Sequence, residues 1–161
     1  MEFERGLVRT AQGYIHYRAT GSGPAIMLQH INQQSSALLV ELMQVLGTRM
    51  RAVAIDYPGH GHSDHVQAQP TIGDYARRVV DVMDALGIGQ AAVIGEAVGA
   101  AVSTELASAF PQRVTRTVLV NCPWYDDASA ADRAHGPLKS GLRPADASGR
   151  SEEHTSELQS H

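Results

Sequence analysis

The sequence predicts an α/β fold in which a mostly parallel, doubly wound sheet carries helices on both faces. One observation, together with a general rule of chain topology, supports this prediction. Short apolar runs alternate along the chain with longer segments whose apolar residues recur at helical spacing. A strand, a helix and a parallel strand in succession form a right-handed crossover, and repeated crossovers cover the sheet with helices.

The chain begins with a predicted β-hairpin. Residues 6–20, GLVRTAQGYIHYRAT, alternate in polarity around a turn at Gly13. Residues 25–30, AIMLQH, form an apolar run that is typical of a buried parallel strand. A helix is expected over 36–46, because apolar residues recur there at helical spacing before Gly47: Leu38, Leu39, Leu42, Val45 and Leu46.

Strands and helices continue to alternate in the second half. AVAID, residues 52–56, predicts another buried strand, and the helix after it opens with Thr71 and Asp74 at the spacing of a capping box. That helix ends before Gly87. Its buried face is expected to consist of Tyr75, Val79, Val82, Met83 and Leu86. The remaining elements are a buried strand, a helix ended by Pro111 and a fourth buried strand: AAVIG (91–95), EAVGAAVSTELASAF (96–110) and RTVLVNC (116–122).

Composition excludes several classes of protein. The 161 residues suffice for one domain, and 43% hydrophobic with 19% charged residues is ordinary for a globular chain. A net charge of −4 gives no electrostatic footprint for nucleic acid or an anionic membrane. Cys122 is the single cysteine, which fits a reducing compartment. We therefore expect a cytoplasmic protein without a signal peptide, membrane span or cofactor.

The C-terminal region differs from the rest in composition. Residues 126–149 are rich in Ala, Asp, Gly and Pro, and hydrophobic periodicity fades there, as at a domain edge or the start of an inserted cap. Residues 150–161, RSEEHTSELQSH, match one reading frame of a widely used short-read sequencing adapter. We expect this string to be an artefact and the chain to be a fragment of a longer protein.

The turn after AVAID allows two interpretations. The spacing of His60, His62, Asp64 and His65 resembles the metal-binding signature of metallo-β-lactamase-like hydrolases. Such a site needs further ligands from later strands, and His135 alone lies downstream at a suitable distance, without a strand signal. The second interpretation is a solvent-exposed glycine turn that places no metal ligand, and we favour it because Gly-x-Gly permits a sharp turn after a strand.

Four motifs, in order, resemble the N-terminal part of the α/β-hydrolase fold superfamily. They are GSGPAIMLQH, DYPGHGHSD, VIGEAVGA and FPQRVTRTVLVN, and the resemblance covers residues 6–125. It implies that residues 1–125 form part of the hydrolase core and that 126–149 begin a cap. It also implies a small ester, amide, epoxide or similar molecule as substrate or ligand.

The resemblance places the nucleophile elbow at GEAVG, residues 95–99. The family's pattern is Gly-x-nucleophile-x-Gly, with Gly95 and Gly99 giving room where strand and helix approach closely. Ala97 occupies the nucleophile position, and a methyl group cannot attack a carbonyl. Glu96, before the tip, is expected to point away from the site.

Other catalytic elements implied by the resemblance are altered or absent. The family's His-Gly pair appears as His30-Ile31, so the backbone N–H groups of Asn32 and Val98 are the implied oxyanion donors. The catalytic acid and histidine follow later strands in this family. Within the chain, the candidate acids are Asp126 and Asp127, for which solvated loop aspartates are the alternative.

Three functional hypotheses therefore remain. The first is a hydrolase-family protein that lacks serine-hydrolase activity in this form, and the second is a non-catalytic member that binds a ligand or serves as a scaffold. A zinc hydrolase using the histidine-rich turn is the less favoured third.

Overall fold

The computed structural model describes residues 2–65 and 70–123. Its strands are β1 (Glu4–Thr10), β2 (Gly13–Thr20), β3 (Ala25–Gln29), β4 (Arg51–Ile55), β5 (Ala91–Glu96) and β6 (Val114–Val120). Its helices are α1 (Val40–Leu46), α2 (Ile72–Ala85) and α3 (Val98–Ala109), with 3-10 turns at Ser36–Leu39 and Pro111–Arg113. The expected acids Asp126 and Asp127, the expected cap at 126–149 and the string at 150–161 lie outside the described residues.

One six-stranded sheet organises the molecule, in the order β1-β2-β4-β3-β5-β6. β1 and β2 form the predicted hairpin, and β2 pairs antiparallel with β4. From β4 onward the pairs β4–β3, β3–β5 and β5–β6 are all parallel. The predicted α/β class with a mostly parallel sheet is therefore confirmed.

Helices cover both faces of the sheet, as the crossover pattern predicts. The larger core lies between the sheet and α2, where the predicted face of α2 is buried or nearly so, and it includes Tyr75, Val79, Val82, Met83 and, at its border, Leu86. A smaller core lies under α1 on the opposite face and consists of Ile26, Leu28, Met43, Ala52 and Ala54. These two cores hold the carboxyl ends of β3, β4 and β5 in register.

The helix predicted over 36–46 differs from expectation in two ways. It starts as a 3-10 turn at Ser36–Leu39 and becomes α-helical only from Val40. Three residues of the predicted apolar stripe face outward, with Leu38, Leu42 and Val45 exposed by 49%, 38% and 68%. Helical spacing identifies a stripe but not which side of it meets the sheet. The side that packs contains Leu39 and Leu46 of the predicted stripe together with Met43, which the prediction did not include.

β6 was expected to be a buried strand and is an exposed one. Val118, Leu119 and Val120 are each more than two-fifths exposed. β6 pairs with β5 on one side, and within the described residues no strand pairs with its other side. An apolar run therefore predicts a strand at this position but not its burial, which depends on the elements packed around it.

The N-terminus of α2 is fixed by the predicted capping box. The Thr71 hydroxyl accepts a hydrogen bond from the Asp74 N–H at 3.1 Å, and the Asp74 carboxylate accepts one from the Thr71 N–H at 2.8 Å. None of the described helices is both long and apolar enough to cross a lipid bilayer.

Replacing Thr71 with alanine should destabilise the protein by about 1 kcal/mol, because the first turn of α2 loses its side-chain acceptor. Urea unfolding followed by circular dichroism measures the change. Thr71→Ser is the matched control, since it keeps the hydroxyl. An equal loss of stability in both variants would show that the Thr71 methyl group, and not the cap, is responsible.

Candidate functional site

Three turns meet at the carboxyl edge of the parallel strands. One follows β3 and starts at His30, one follows β4 and starts at Asp56, and the third is the single residue Ala97 between β5 and α3. Parallel α/β sheets bind their ligands at this edge, because the loops there can converge on one point. The fold thus brings together most of the residues that the sequence selected.

The turn at Ala97 is sharp and strained. Ala97 has φ 50° and ψ −113°, a conformation that side-chain-bearing residues rarely adopt. Its N–H donates to the Val120 carbonyl at 3.0 Å, and its carbonyl accepts from Ala100 at the start of α3. The turn is therefore held from both sides, by β6 and by the helix.

Close backbone contacts explain the two flanking glycines. A Cβ on Gly95 would overlap the carbonyl group of Gly99, and a Cβ on Gly99 would overlap the carbonyl group of Gln29. The N-terminus of α3 therefore packs directly on the end of β3, where the turn that begins at His30 leaves the sheet. Glu96, between Gly95 and the turn, is exposed.

The N–H groups of Asn32 and Val98 are the expected oxyanion donors. In residues 2–65 and 70–123, neither N–H has a hydrogen-bond acceptor. Val98 is the first residue of α3, so its N–H also carries the partial positive charge of a helix N-terminus. Both groups can thus donate to an oxygen atom of a bound molecule, although their role in an oxyanion hole stays a prediction.

His30 is a fully buried residue that joins two of the turns. Its Nδ1 lies 2.6 Å from the Ile31 carbonyl oxygen, and its Nε2 accepts a hydrogen bond from the Tyr57 N–H at 3.2 Å. Nδ1 therefore carries the proton. Burial lowers the pKa of His30 to about 4, because a charged imidazolium would lose its hydration, so the ring is neutral near pH 7.

His60 contradicts the expectation of a solvent-exposed histidine. Its ring is half-buried, and Nε2 lies 3.3 Å from the Asn32 side-chain oxygen. Its ring centroid is 5.5 Å from that of His30 and 6.2 Å from that of Tyr75. The glycine turn folds back over the sheet edge, and this places His60 against the turn that follows β3.

Tyr57 and Tyr75 are buried core residues next to the site, a position that the sequence interpretation missed. Their rings stack at 4.5 Å and an angle of 14°, and the Tyr57 hydroxyl donates to the Gln29 side-chain oxygen at 3.1 Å. Burial raises the pKa of Tyr75 to about 12, so its hydroxyl stays protonated. An aromatic residue directly after a buried strand was the available signal for Tyr57, whereas Tyr75 was identified only as a core residue of α2.

Asp56 holds the turn after β4 in shape. It is fully buried, and its carboxylate accepts hydrogen bonds from the backbone N–H groups of Ser36 and His62 at 2.6 and 2.9 Å. Burial alone would raise the pKa of Asp56, but the hydrogen bonds from Ser36 and His62 outweigh it and lower the pKa. The carboxylate is therefore ionised and works as an acceptor for the backbone around it.

The four residues of the apparent metal signature have separate surroundings. The Asp64 carboxylate accepts a hydrogen bond from the Tyr14 N–H at 2.8 Å, while His62 and His65 are exposed. Within the described residues, one group of potential ligands lies close together, and it takes only His62 from the signature: His16, Asp56 and His62.

Comparisons with known proteins agree with this geometry. A family model described as the alpha/beta hydrolase fold matches residues 24–154. The chain is 29% identical over 127 residues to 2-(acetamidomethylene)succinate hydrolase of Mesorhizobium japonicum, covering 79% of this chain and 46% of that protein. It is 33% identical over 124 residues to haloalkane dehalogenase 2 of Mycobacterium tuberculosis, covering 76% and 43%.

A solved hydrolase structure from Pseudomonas aeruginosa superposes with a TM-score of 0.73 at 25% identity, covering 79% of this chain and 49% of that one. The chain spans less than half the length of both curated relatives.

Acidification should destabilise the protein through His30. The pKa of His30 is about 4 in the folded protein, against 6.5 for a histidine in the unfolded chain, so folding favours the neutral ring. That stability is present above pH 6.5 and is lost as the pH falls towards 4. Urea unfolding at several pH values should show that the free energy of unfolding falls steeply in this window. The fall should be shallower in His30→Gln. The exposed His65→Gln is the control and should keep the steep decline; an equally steep decline in His30→Gln would contradict the assignment.

Replacing Ala97 with glycine should raise the melting temperature by a few degrees. Strain at a positive φ costs about 1–3 kcal/mol, and glycine would remove it. Glycine loses more conformational entropy on folding, about 0.5–1 kcal/mol, which cancels only part of that gain. Differential scanning calorimetry gives the measurement. The control Ala101→Gly, inside α3, should lower the melting temperature. A lower value for Ala97→Gly as well would show that the turn is not strained.

Proposed function

The chain belongs to the α/β-hydrolase fold family, and from this premise we propose that its site binds a small ester-, amide- or epoxide-type molecule without forming an acyl-enzyme. The observation that carries the proposal is the position of Ala97. It stands at the tip of the sharp turn between β5 and α3, where the family's nucleophile elbow carries the attacking side chain.

An acyl-enzyme mechanism needs a nucleophile at the tip of the turn, and the residues near Ala97 do not supply one. Glu96 is exposed on the strand side of the turn. The Ser103 hydroxyl is buried and donates to the Gly99 carbonyl at 2.8 Å, so it is engaged within α3. An acyl-enzyme step through the elbow is therefore closed.

Although the nucleophile is absent, groups that can bind a ligand are present around the turn. The N–H groups of Asn32 and Val98 suit an electronegative oxygen on the ligand. The Asn32 and His60 side chains lie against each other and are only partly buried, so both remain within reach of a ligand. The buried Tyr57 and Tyr75 rings pack next to His60 and help to hold it in place. These features support a ligand of modest size that carries a carbonyl or epoxide oxygen.

A second candidate is a hydrolytic enzyme that works without the elbow nucleophile. The curated relatives favour it, because one is a hydrolase and another a dehalogenase by name. In this case water would be activated by an acid–histidine pair on later strands, as the family resemblance implies, and Asp126 or Asp127 would be the acid within this chain.

Cellular location and partners follow from the same reasoning. We place the protein in the cytoplasm, because Cys122 is its single cysteine and is exposed as a free thiol. The net charge of −4 argues against nucleic acid as a partner.

The protein should not react covalently with a fluorophosphonate probe, because no activated hydroxyl stands at the elbow. Intact-mass spectrometry after incubation gives the readout, with a known serine hydrolase as the positive control. A probe adduct mapped to any residue of the native protein, and absent after heat denaturation, would contradict the proposal.

Binding and turnover are separated by a second measurement. Small esters, amides and epoxides are added to the protein, with binding followed by NMR line broadening and product formation by chromatography. Saturable binding without product supports the ligand-binding member, and product formation supports the second candidate. Asn32→Ala should weaken binding, because it removes the side-chain amide beside His60 while keeping the backbone N–H. Gln90→Ala should not, because Gln90 is exposed at the opposite end of the parallel strands.

A further inference from the structure

Two histidines and a carboxylate converge behind the glycine turn. His16 lies on β2, Asp56 directly follows β4, and His62 lies in the turn. The Asp56 Oδ2 atom lies 2.9 Å from His16 Nδ1 and 3.8 Å from His62 Nδ1. The three potential ligand atoms all lie within 4.8 Å of one another. None of these three side chains is among the proposed ligand contacts, although Asp56 also holds the backbone of two turns.

We propose that His16, Asp56 and His62 bind one divalent transition-metal ion, such as Zn²⁺ or Ni²⁺. Two imidazole nitrogens and one carboxylate oxygen form a ligand set that these ions prefer over Mg²⁺ or Ca²⁺. The remaining coordination positions would be taken by water on the exposed side of His62.

The spacing of the ligand atoms suits a shared ion. Zinc binds nitrogen and oxygen at about 2.0–2.2 Å, so neighbouring ligands of one ion stand about 3–3.5 Å apart. The Oδ2 atom of Asp56 is central to the cluster, and its two distances, 2.9 and 3.8 Å, bracket that range. The His62 side chain is 72% exposed, so it can adjust by rotation without disturbing the core.

The two buried ligands are held in position by the fold. Asp56 Oδ1 accepts from the Ser36 N–H at 2.6 Å, which orients the carboxylate. The backbone N–H of His16 donates to the Ser63 hydroxyl at 2.9 Å, and that hydroxyl in turn donates to the backbone carbonyl of Asp56 at 2.6 Å. Such surrounding hydrogen bonds raise metal affinity, because the ligands lose little freedom on binding.

Metal binding competes with a hydrogen bond that already stabilises the pair. Without an ion, His16 Nδ1 shares a proton with the Asp56 carboxylate across 2.9 Å. An ion bound at Nδ1 requires the ring proton to move to Nε2 by exchange with solvent, so that His16 binds as a neutral imidazole. Affinity should weaken as the pH falls, because protonation of an imidazole ligand competes with the ion.

A bound ion would also connect two parts of the molecule. His16 belongs to the hairpin side of the sheet and His62 to the turn that carries His60. The proposal does not depend on the proposed ligand site, since His60 faces the Asn32 side chain and is not one of the three ligands.

The test compares three chains after treatment with EDTA: wild type, His62→Ala and His65→Ala. His62 is the exposed ligand, so its removal leaves the buried Asp56 hydrogen bonds in place, and His65 is an exposed neighbour outside the cluster. Isothermal titration with Zn²⁺ should give one site in wild type and His65→Ala, and affinity lower by about tenfold or more in His62→Ala. Circular dichroism verifies that all three are folded.

Two further measurements make the outcome decisive. Co²⁺ should give visible absorption bands with wild type that are lost in His62→Ala, and Mg²⁺ should not compete. Absence of saturable Zn²⁺ binding by wild type, unchanged affinity in His62→Ala, or an equal loss in His65→Ala would each overturn the proposal. None of these outcomes bears on fluorophosphonate labelling, so the metal site and the proposed function fail separately.

Discussion

The buried carboxylate of Asp56 is the interaction on which the site depends. It lies where β4 leaves the sheet, and it receives backbone N–H groups from the segments on either side, Ser36 before α1 and His62 within the glycine turn. Gly61 passes so close to it that a side chain there would strike the carboxylate. A single ionised group thus sets the relative position of two of the three turns, because a buried charge must be matched by donors.

The third turn is set by backbone packing. Gly95, Gly99 and the end of β3 approach one another without intervening side chains, which forces Ala97 into its positive φ. Such strain persists only where the surroundings over-determine the conformation. The turn is therefore held in one conformation although its tip carries only a methyl group, so the fold alone does not determine whether this chain is catalytically active.

Much of the fold was predictable, because periodicity and turn chemistry are local. The parallel strands and the Thr71 capping box follow from patterns of neighbouring residues, whereas the close packing at Gly95 and Gly99 was expected from the family resemblance. The site was less accessible, since His60 meets Asn32, and His16 meets Asp56, only through the order of strands in the sheet. Likewise, no local pattern distinguishes the outer side of the α1 stripe, with Leu42 and Val45 exposed, from the side that packs.

The side of β6 that faces away from β5 matters for association, since no strand within residues 2–65 and 70–123 pairs with it. Val118, Leu119 and Val120 are exposed there, beside backbone groups that no other described strand pairs with. An apolar strand with an open hydrogen-bonding edge is a template on which another chain can add a strand. In a form of the protein that left this edge uncovered, two molecules could pair along β6, and the sign of it would be self-association that increases with protein concentration.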